Sequence, residues 1–397
     1  MKVVQINAYC GSGSTGKICQ SISILLNKNG ISNRIYYTEG ESVYENAINY
    51  GMGVAYTKKQ SLMSRIKGNN GFNSKELTER LIQELTGYKP DIIHLHNLHA
   101  QNVNLEMLAN YIDENKIKTI WTFHDSWMLT GYCMNFDMIG CSKWKSGCEE
   151  CPYKKSYAWF VDKSREIWLK KRNVISKINP YVVVPSKWMG NKINESKIEI
   201  NCLKVINNGI NLDIFKNECE KEREKRAKFL VLGVSDRWDK RKGVDVFIKL
   251  CDILSDDYEI MLVGTNSKVE KLLPSRIITV RRTENQKQLA ELYSKADVLV
   301  NTTREEIFGL VNIEALACGT PVITFDTGGS PECIDEKTGL VVKKDDLIGL
   351  TQAIEKVCKE KPFDSNDCKN RAQKFNENDL YLEYLKLYKD VYDKDKV

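Results

Sequence analysis

Two glutamates are the residues of this chain whose types and spacing are best suited to chemistry. Glu306 and Glu314 stand eight positions apart, with Phe308 and Gly309 between them. Because that spacing is a little over two helical turns, a wholly helical segment would place both carboxylates on one face. We predict instead that only Glu314 lies on a helix and that Glu306, Phe308 and Gly309 belong to the loop before it. The carboxylates would then bracket the hydroxyls of a ligand, and the free N–H groups at the helix start would face a phosphate.

The residues after Glu314 help to decide between this interpretation and a simpler one. A surface helix with scattered acidic residues would also explain a bare pair of glutamates at this spacing. The run Gly319–Thr324 reads Gly-Thr-Pro-Val-Ile-Thr, which predicts an apolar strand directly after the helix. We therefore favour the ligand-binding interpretation.

A glycine-rich loop follows the first predicted strand and opens the first predicted helix. Gly11–Lys17 matches the spacing of a phosphate-binding P-loop as far as the lysine. The next residue is Ile18, where a P-loop needs Ser or Thr to hold Mg²⁺, so a nucleotide triphosphatase is the weaker alternative. The glycines could instead let the backbone approach a diphosphate or an acceptor, with the helix dipole behind it; a purely structural tight turn stays open. The residues of this candidate loop are Gly13, Ser14, Thr15 and Gly16.

A histidine and an aspartate follow another predicted strand. His124 and Asp125 come directly after Lys118–Phe123. A lone histidine is more often structural, but the carboxyl ends of parallel strands are where open α/β sheets bind ligands. Asp125 could orient the imidazole of His124 or contact an acceptor. We therefore treat His124 as a candidate site residue and Asp125 as a weaker one.

The string from Glu306 to Glu332 resembles the signature of the retaining glycosyltransferases of family four, which have the GT-B fold. That family shows a Glu, Phe-Gly-Leu, a second Glu after seven intervening residues, then Ala, Cys-Gly-Thr-Pro-Val and a Gly-Gly turn. Every element is present here, and the resemblance extends from the N-terminal strand to about Phe375. It implies an α/β fold of two doubly wound, Rossmann-like domains that face a cleft. It also implies a C-terminal helix that crosses back onto the first domain.

The resemblance assigns roles to individual residues. Glu314 would hold the ribose hydroxyls of a nucleotide, and Glu306 would position the transferred sugar and stabilise charge. His124 would lie beside the donor sugar. The catalytic residues that it implies are His124, Glu306 and Lys242. The donor-binding residues that it implies are Arg237, Arg241, Lys242, Gly264, Phe308, Gly309, Leu310 and Glu314.

A basic loop contains the cations in this set. Arg237, Arg241 and Lys242 lie between Gly233, at the end of a predicted strand, and Gly243, at the start of a predicted helix. Fixed cations here could stabilise the negative charge that builds on a departing nucleoside diphosphate. A solvated basic turn is the alternative. Arg237 fits the family's spacing and Arg241 adjoins the lysine, so the arginine that would join Lys242 is left open.

The implied reaction transfers a hexose-type sugar from a UDP- or GDP-linked donor to a saccharide acceptor held on a lipid diphosphate. In this family the incoming hydroxyl is thought to attack from the face that the leaving group departs, so no covalent carboxylate is obligatory. The only Asp-x-Asp in the chain is Asp393-Lys-Asp395, close to the C-terminus. We therefore predict no catalytic metal.

Length and composition set the frame for these assignments. The 397 residues suffice for two domains, and a hydrophobic content of 42% supports real cores. We find no signal segment and no apolar run long enough to span a bilayer, which predicts a cytoplasmic protein. The net charge of +6 permits attraction to a nucleotide or to anionic lipid but does not indicate a nucleic-acid binder.

Apolar strands alternate with helical patterns throughout, which predicts parallel α/β layers. One series of strands ends near Val184, and a second begins at Lys228. We predict an N-terminal domain over 1–205, a linker over 206–227, a nucleotide-sugar-binding domain over 228–375 and a C-terminal helical segment over 376–397. The ligand would bind between the two domains, at the carboxyl ends of their strands.

Four of the thirteen cysteines fall in a short segment, about 131–153, that follows His124. They are Cys133, Cys141, Cys148 and Cys151. Four thiolates satisfy tetrahedral Zn²⁺, so a structural zinc is one prediction. Free or disulfide-forming thiols are the alternative, and a redox role is a weaker one. The segment resembles an insertion in a subgroup of family-four enzymes associated with colanic acid, capsule or O-antigen synthesis.

A basic, aromatic stretch lies further along. Lys163, Arg165 and the run Lys170–Arg172 surround Ile167–Leu169, which includes Trp168. A solvated helix face is the favoured interpretation. The alternative is peripheral association with anionic lipid on the inner face of the cell membrane. A glycosyltransferase is thus the leading hypothesis, with a P-loop nucleotide triphosphatase and a non-catalytic sugar-nucleotide-binding module as alternatives.

Overall fold

The chain forms two compact units. The structure is a computed structural model that describes residues 1–216 and 226–394. Unit 1 comprises Met1–Ile206 and Tyr381–Val397, and unit 2 comprises Asn207–Leu380. Within the described ranges, no helix has the length and apolar content needed to cross a membrane.

Unit 1 is built on a seven-stranded parallel sheet with the strand order β3-β2-β1-β4-β5-β6-β7. Its strands are β1 (Lys2–Ile6), β2 (Ser32–Tyr37), β3 (Ala47–Asn49), β4 (Ile92–Leu95), β5 (Lys118–Thr122), β6 (Tyr181–Val184) and β7 (Cys202–Val205). Its helices are α1 (Gly13–Lys28), α2 (Gly53–Lys67), α3 (Lys75–Tyr88), α4 (Leu105–Glu114), α5 (Lys154–Tyr157), α6 (Ser164–Ile178) and α7 (Lys187–Ser196). The strand order reverses between β1 and β4, the point at which doubly wound sheets bind ligands.

Unit 2 has a six-stranded parallel sheet with the order β10-β9-β8-β11-β12-β13. Its strands are β8 (Phe229–Val234), β9 (Tyr258–Val263), β10 (Ile277–Val280), β11 (Val298–Asn301), β12 (Val322–Phe325) and β13 (Gly339–Val342). Its helices are α8 (Val244–Ile253), α9 (Ser267–Glu270), α10 (Gln286–Lys295), α11 (Leu310–Ala317), α12 (Leu347–Glu360) and α13 (Ser365–Gln373). The strand order reverses between β8 and β11.

The apolar strands of unit 2 are buried on both faces. Val231 packs with Phe247 of α8 in one core cluster, whereas its neighbour Leu232 packs with Tyr293 and Ile313 in the other. Successive strand residues point to opposite faces, so one strand feeds both clusters. Helices therefore cover both faces of the sheet, and the predicted doubly wound α/β fold is confirmed.

The last helix, α14 (Glu377–Asp393), packs on unit 1, as predicted. Its residues from Tyr381 onward belong to that unit. The hydroxyl of Tyr388 lies 2.6 Å from Nδ1 of His94, and the hydroxyl of Tyr384 lies 3.2 Å from Oγ1 of Thr122. Both tyrosines are buried.

The division between the units differs from the predicted 206–227 linker. Residues 207–216 belong to unit 2, where Ile210 and Phe215 are buried in the core. Residues 217–225 of that predicted linker, and residues 395–397 of the predicted 376–397 segment, lie outside the described residues. The short edge strands β3 and β7 are further elements that the sequence analysis did not predict.

Candidate active site

A lysine and a glutamate meet at the point of unit 2 where the strand order reverses. Nζ of Lys242 lies 2.7 Å from Oε2 of Glu306, and 16% and 21% of the two side chains are exposed. Lys242 ends the loop after β8, and Glu306 lies in the loop after β11, as predicted. Because β8 and β11 are neighbours, their following loops come together at the carboxyl edge of the sheet. The pair therefore stands where this type of sheet binds ligands.

Arg304, which no pattern in the sequence singled out, ties these two loops together. Its guanidinium donates to both carboxylate oxygens of Asp245, at 2.7 and 2.8 Å, and to Oδ1 of Asp345 at 2.7 Å. Its backbone N–H donates to the carbonyl of Arg241 at 2.8 Å. Arg304 is 8% exposed and engaged on all sides, so its role is to hold the loop that carries Lys242.

The two arginines named with Lys242 lie in the same loop but in different surroundings. Arg237 is exposed over 76% of its side chain and contacts Asp239 at 3.5 Å. Arg241 is half-buried and donates to the carbonyl of Glu305 at 3.4 Å. Arg241 therefore reaches the loop of Glu306, whereas Arg237 extends into solvent.

The start of α11 depends on glycines. Gly309 has φ +102° and caps the helix. Gly328 has φ +58°, and a Cβ built there would meet the carbonyl oxygen of Glu306 at 1.6 Å, so only glycine lets that carbonyl approach. Phe308 is 2% exposed and packs in the core. Its side chain is therefore not available to a ligand, which leaves the main-chain groups of Phe308 for the predicted role.

Glu314 lies inside α11, as predicted, and has a buried partner. The hydroxyl of Tyr293 donates to Oε2 of Glu314 at 2.8 Å. Burial, followed by the charge of Glu314, raises the pKa of Tyr293 well above its ordinary value. The tyrosine therefore stays a proton donor and holds the carboxylate in place.

Gly264 follows β9, and its backbone packs against the loop after β8. Its φ is +88°, and a Cβ there would lie 1.6 Å from the carbonyl oxygen of Ser235. Its backbone N–H donates to the carbonyl of Val280 at 2.8 Å. Gly264 is thus required for close backbone packing beside the basic loop.

In unit 1, His124 belongs to a cluster that contains all four histidines of the chain. Its Nε2 lies 3.0 Å from Nδ1 of His96, and the rings of His96 and His94 are 4.0 Å apart. One prediction was that Asp125 could orient the imidazole of His124. Instead, Oδ2 of Asp125 contacts Nε2 of His99 at 3.0 Å. His94 and His96 are two positions apart at the end of a predicted strand, and this spacing could have predicted that their side chains share one face.

The glycine-rich loop of unit 1 closes on itself. The N–H of Gly11 donates to the carbonyl of Gly16 at 3.0 Å, and a Cβ on Gly16 would lie 3.3 Å from the nitrogen of Gly11. Ile18 is 4% exposed and belongs to the core, and Lys17 points to solvent. The position that a P-loop uses to hold Mg²⁺ is therefore an apolar core position. Ser14 and Thr15 remain accessible near the helix start.

The four cysteines after His124 line one small cavity beside Trp144. Burial and the neighbouring thiols raise the pKa of Cys133 to about 12 and that of Cys148 to about 11. The donor set fits zinc, but in the described part of the chain no three Asp, Glu, His or Cys side chains are arranged to bind one metal ion. All cysteines of that part are free thiols. Structural zinc at Cys133, Cys141, Cys148 and Cys151 stays a prediction, and elemental analysis of protein purified without a metal-affinity tag decides it.

Two family models match adjoining parts of the chain. Residues 22–214 match the model described as Glycosyltransferase Family 4, and residues 215–375 match that described as Glycosyl transferases group 1. Among relatives, WcaC of Escherichia coli (strain K12), whose name assigns it to colanic acid biosynthesis as a glycosyl transferase, is 22% identical over 89% of this chain and 90% of its own length. A 41.2 kDa protein of the cps region of Klebsiella pneumoniae is 26% identical over 84% of this chain and 88% of its own length.

Solved structures share the fold. The sucrose-phosphate synthase from Thermosynechococcus elongatus superposes with a TM-score of 0.73 at 18% identity, over 98% of this chain and 99% of that one. Alr3699/HepE of Anabaena in complex with UDP-glucose gives 0.71 at 15% identity, over 98% and 100%. Because the two family models together span residues 22–375, this chain belongs to the family-four glycosyltransferases and has their GT-B fold.

Proposed function

We propose that the protein transfers a hexose-type sugar from a nucleotide-diphospho-sugar to a saccharide acceptor, with retention of anomeric configuration. The observation that carries the proposal is the 2.7 Å pair of Lys242 and Glu306 beside the start of α11. A cation, a carboxylate and the N-terminus of a helix at one sheet edge suit a sugar joined to a diphosphate.

Each group has a stated task in this proposal. Lys242, with Arg241 or Arg237, stabilises the charge that develops on the leaving diphosphate. Glu306 positions the sugar, and Glu314, held by Tyr293, binds the ribose hydroxyls. His124 contacts the transferred sugar, and Asp125, with the loop Gly13–Gly16, faces the acceptor. The step requires no catalytic metal in this scheme.

The relatives support a class of donor and a pathway for this proposal. Alr3699/HepE binds UDP and UDP-glucose, which supports a UDP-linked donor here, with GDP as the alternative base. The relatives named for colanic acid biosynthesis and for the cps region support a role in surface polysaccharide synthesis. The buried Ile18 disfavours the nucleotide triphosphatase, and the assembled Lys242–Glu306 pair disfavours a module that only binds sugar nucleotides.

Binding of the donor is the direct test. A UDP- or GDP-sugar should raise the melting temperature, because a ligand at 100 times its Kd adds about 2.7 kcal/mol to the free energy of unfolding. Glu314→Ala should reduce the shift, whereas Glu355→Ala, at a partly exposed glutamate on α12, should leave it unchanged. A shift only with ATP or GTP and Mg²⁺, with release of phosphate, would restore the triphosphatase. Transfer measured promptly after EDTA treatment tests the absence of a catalytic metal.

A lipid-linked acceptor is supported by one surface of unit 1. Helix α2 carries Lys58, Lys59, Arg65 and Lys67 and no acidic residue, and its Leu62 and Ile66 are exposed. The adjoining segment Trp159–Val161 is exposed over 46%, 70% and 50% of its three residues, and the N–H of Trp159 donates to the carbonyl of Arg65 at 2.8 Å. We call α2 with Trp159–Val161 the basic apolar surface. Cations beside exposed aromatic groups suit an anionic bilayer.

The predicted basic stretch of α6 is less suited to that role. Lys171 is fully buried, and Lys170 pairs with Glu166 at 2.9 Å. The guanidinium of Arg172 stacks on Trp168, with 4.2 Å to the ring centroid. The favoured interpretation of a solvated helix face therefore fits α6 better, except that Lys171 does not face solvent.

Co-sedimentation with vesicles tests the basic apolar surface. Vesicles that contain phosphatidylglycerol should bind the protein, and Lys58→Glu with Lys59→Glu should weaken binding by about tenfold or more, since each basic group contributes about 1 kcal/mol. Added salt should weaken binding as well. Ile348→Ala, which removes an exposed apolar side chain of unit 2, is the control and should leave vesicle binding unchanged. Equal binding of wild type and charge variant would contradict this role for the surface.

A further inference from the structure

A buried glutamine and two histidines form one continuous line of polar contacts in unit 1. Gln5 lies on β1 and is 0% exposed, and His96 follows β4 and is 2% exposed. Oε1 of Gln5 lies 3.2 Å from Nε2 of His96, and Nδ1 of His96 lies 3.0 Å from Nε2 of His124. The line thus runs from the core of the sheet to His124, which is partly exposed.

The orientation of the Gln5 amide follows from its other contact. Its Nε2 donates to the carbonyl of Cys19 on α1 at 3.0 Å. A carbonyl oxygen only accepts hydrogen bonds, so the amide nitrogen must face Cys19 and the amide oxygen must face His96. The oxygen likewise only accepts, and Nε2 of His96 must therefore carry a proton.

The proton on His96 determines the next contact. Burial lowers the pKa of His96 well below its ordinary value, with His94 and His124 adding to the effect, so the ring is neutral. A neutral imidazole protonated at Nε2 has a lone pair at Nδ1. The 3.0 Å contact with His124 then requires His124 to donate from its Nε2. Desolvation lowers the pKa of His124 to about 4, despite the opposing field of Asp125, so this ring is neutral too.

We infer that Gln5 is a positioning residue that fixes the tautomer of His124 through His96, so that His124 carries its proton on Nε2 and keeps Nδ1 as an acceptor. The two ring nitrogens of a histidine are distinct, and the hydrogen bond at one sets the chemistry of the other. Gln5 lies on β1 and does not contact His124 itself; it acts on His124 through the intervening His96.

The role of this tautomer in sugar transfer rests on the proposed function. A neutral His124 with a free lone pair accepts a hydrogen bond from a hydroxyl of the transferred sugar and does not neutralise phosphate charge. The opposite tautomer would present a donor at Nδ1 and would bind the oxygen lone pair of that hydroxyl instead of its proton. Gln5 touches neither sugar nor nucleotide in this scheme and acts through His96.

The experiment is long-range proton–nitrogen NMR of the free, full-length protein labelled only at histidine nitrogens. The chain has four imidazoles, and single histidine variants assign them. In the wild type, both His96 and His124 should show a protonated, pyrrole-like Nε2 and a pyridine-like Nδ1. In Gln5→Met, which removes the acceptor at similar volume, the Nδ1 signal of His124 should move toward the pyrrole-like range as the tautomer is lost.

Thr122→Val is the matched control, because Thr122 contacts Nε2 of His94 at 2.8 Å and lies outside the line. It should leave the tautomer of His124 unchanged. A wild-type His124 protonated at Nδ1 would overturn the inference, even if Gln5→Met failed to fold, and so would an unchanged tautomer in a folded Gln5→Met protein. The sample contains neither the sugar donor nor the saccharide acceptor. A failure to transfer sugar would therefore refute the proposed function and leave this result standing.

Discussion

Replacement of Lys242 by alanine is expected to lower the rate of sugar transfer a hundredfold or more while unit 2 stays folded. A preorganised charge contact to a developing negative charge commonly accounts for about a hundredfold to a thousandfold in rate. The cation lies 2.7 Å from Glu306 at the carboxyl edge of the sheet. Glu306→Gln should lose transfer to a similar extent, since the amide keeps the shape of the side chain but not its charge.

The stability of these variants should change little. The pair is partly exposed, and ion pairs of this kind contribute on the order of 1 kcal/mol or less. Transfer would be measured with the donor that raises the melting temperature, and folding would be checked by thermal unfolding. Lys359→Ala removes another ion-paired lysine, 3.3 Å from Glu355 on α12, and should leave transfer unchanged. Wild-type turnover in folded Lys242→Ala or Glu306→Gln protein would refute their assignment to catalysis.

Mild acid is expected to unfold unit 1 at pH values where most α/β proteins are still stable. Desolvation lowers the pKa of His124 to about 4, and burial lowers the pKa values of His94 and His96 well below their ordinary range. Unfolded histidine titrates near pH 6.5. Well above that pH neither state binds protons at these rings, so they do not make the free energy of unfolding depend on pH there.

The loss of stability begins as the pH falls below about 6.5 and continues toward pH 4. The unfolded state then binds protons that the folded state rejects, and each such histidine lowers the free energy of unfolding by up to about 1.4 kcal/mol per pH unit, a limit reached once the unfolded ring is fully protonated. Three of them together give a limiting slope of about 4 kcal/mol per pH unit. The source is the desolvated cluster itself, because a charge on any of these rings would lie in a low-dielectric interior.

Urea unfolding followed by tryptophan fluorescence at pH 7.5, 6.5, 6.0 and 5.5 would measure this slope. Of the seven tryptophans, only Trp238 lies in unit 2, so the signal reports mainly on unit 1. His124→Asn removes one titrating ring and should reduce the slope by about a third. A free energy of unfolding that stays constant from pH 6.5 to 5.5 would show that the histidines titrate normally in the folded protein.

Local patterns in the sequence predicted most of the fold. Apolar runs located the central strands of both sheets, and their alternation with helical patterns predicted parallel layers. The predicted position of Glu314 on a helix and of Glu306 in the loop before it agrees with Gly309, which takes a positive φ at the helix start. These features depend on neighbours a few residues apart, which the sequence displays directly. The edge strands β3 and β7 were missed because short strands with exposed positions lack a continuous apolar run.

Contacts between side chains were harder to predict. Asp125 pairs with His99 rather than with the adjacent His124, and Lys171 is buried, with its ammonium donating to the carbonyls of Trp127, Thr130 and Gly131. A charged residue next to others in the sequence looks solvent-exposed. Whether its side chain is buried depends on which loop folds over it, and the local sequence does not show which loop that is.

By itself, then, the sequence determined the class of fold, the family and the identities of the charged groups, since each rests on residue type and short-range spacing. Only the tertiary structure decided which groups meet. Lys242 and Glu306 are 64 positions apart, and Gln5 and His96 are 91 positions apart. They meet because β8 lies beside β11 and β1 lies beside β4. Strand order is a property of the folded sheet, and it brings the ends of distant segments to one edge.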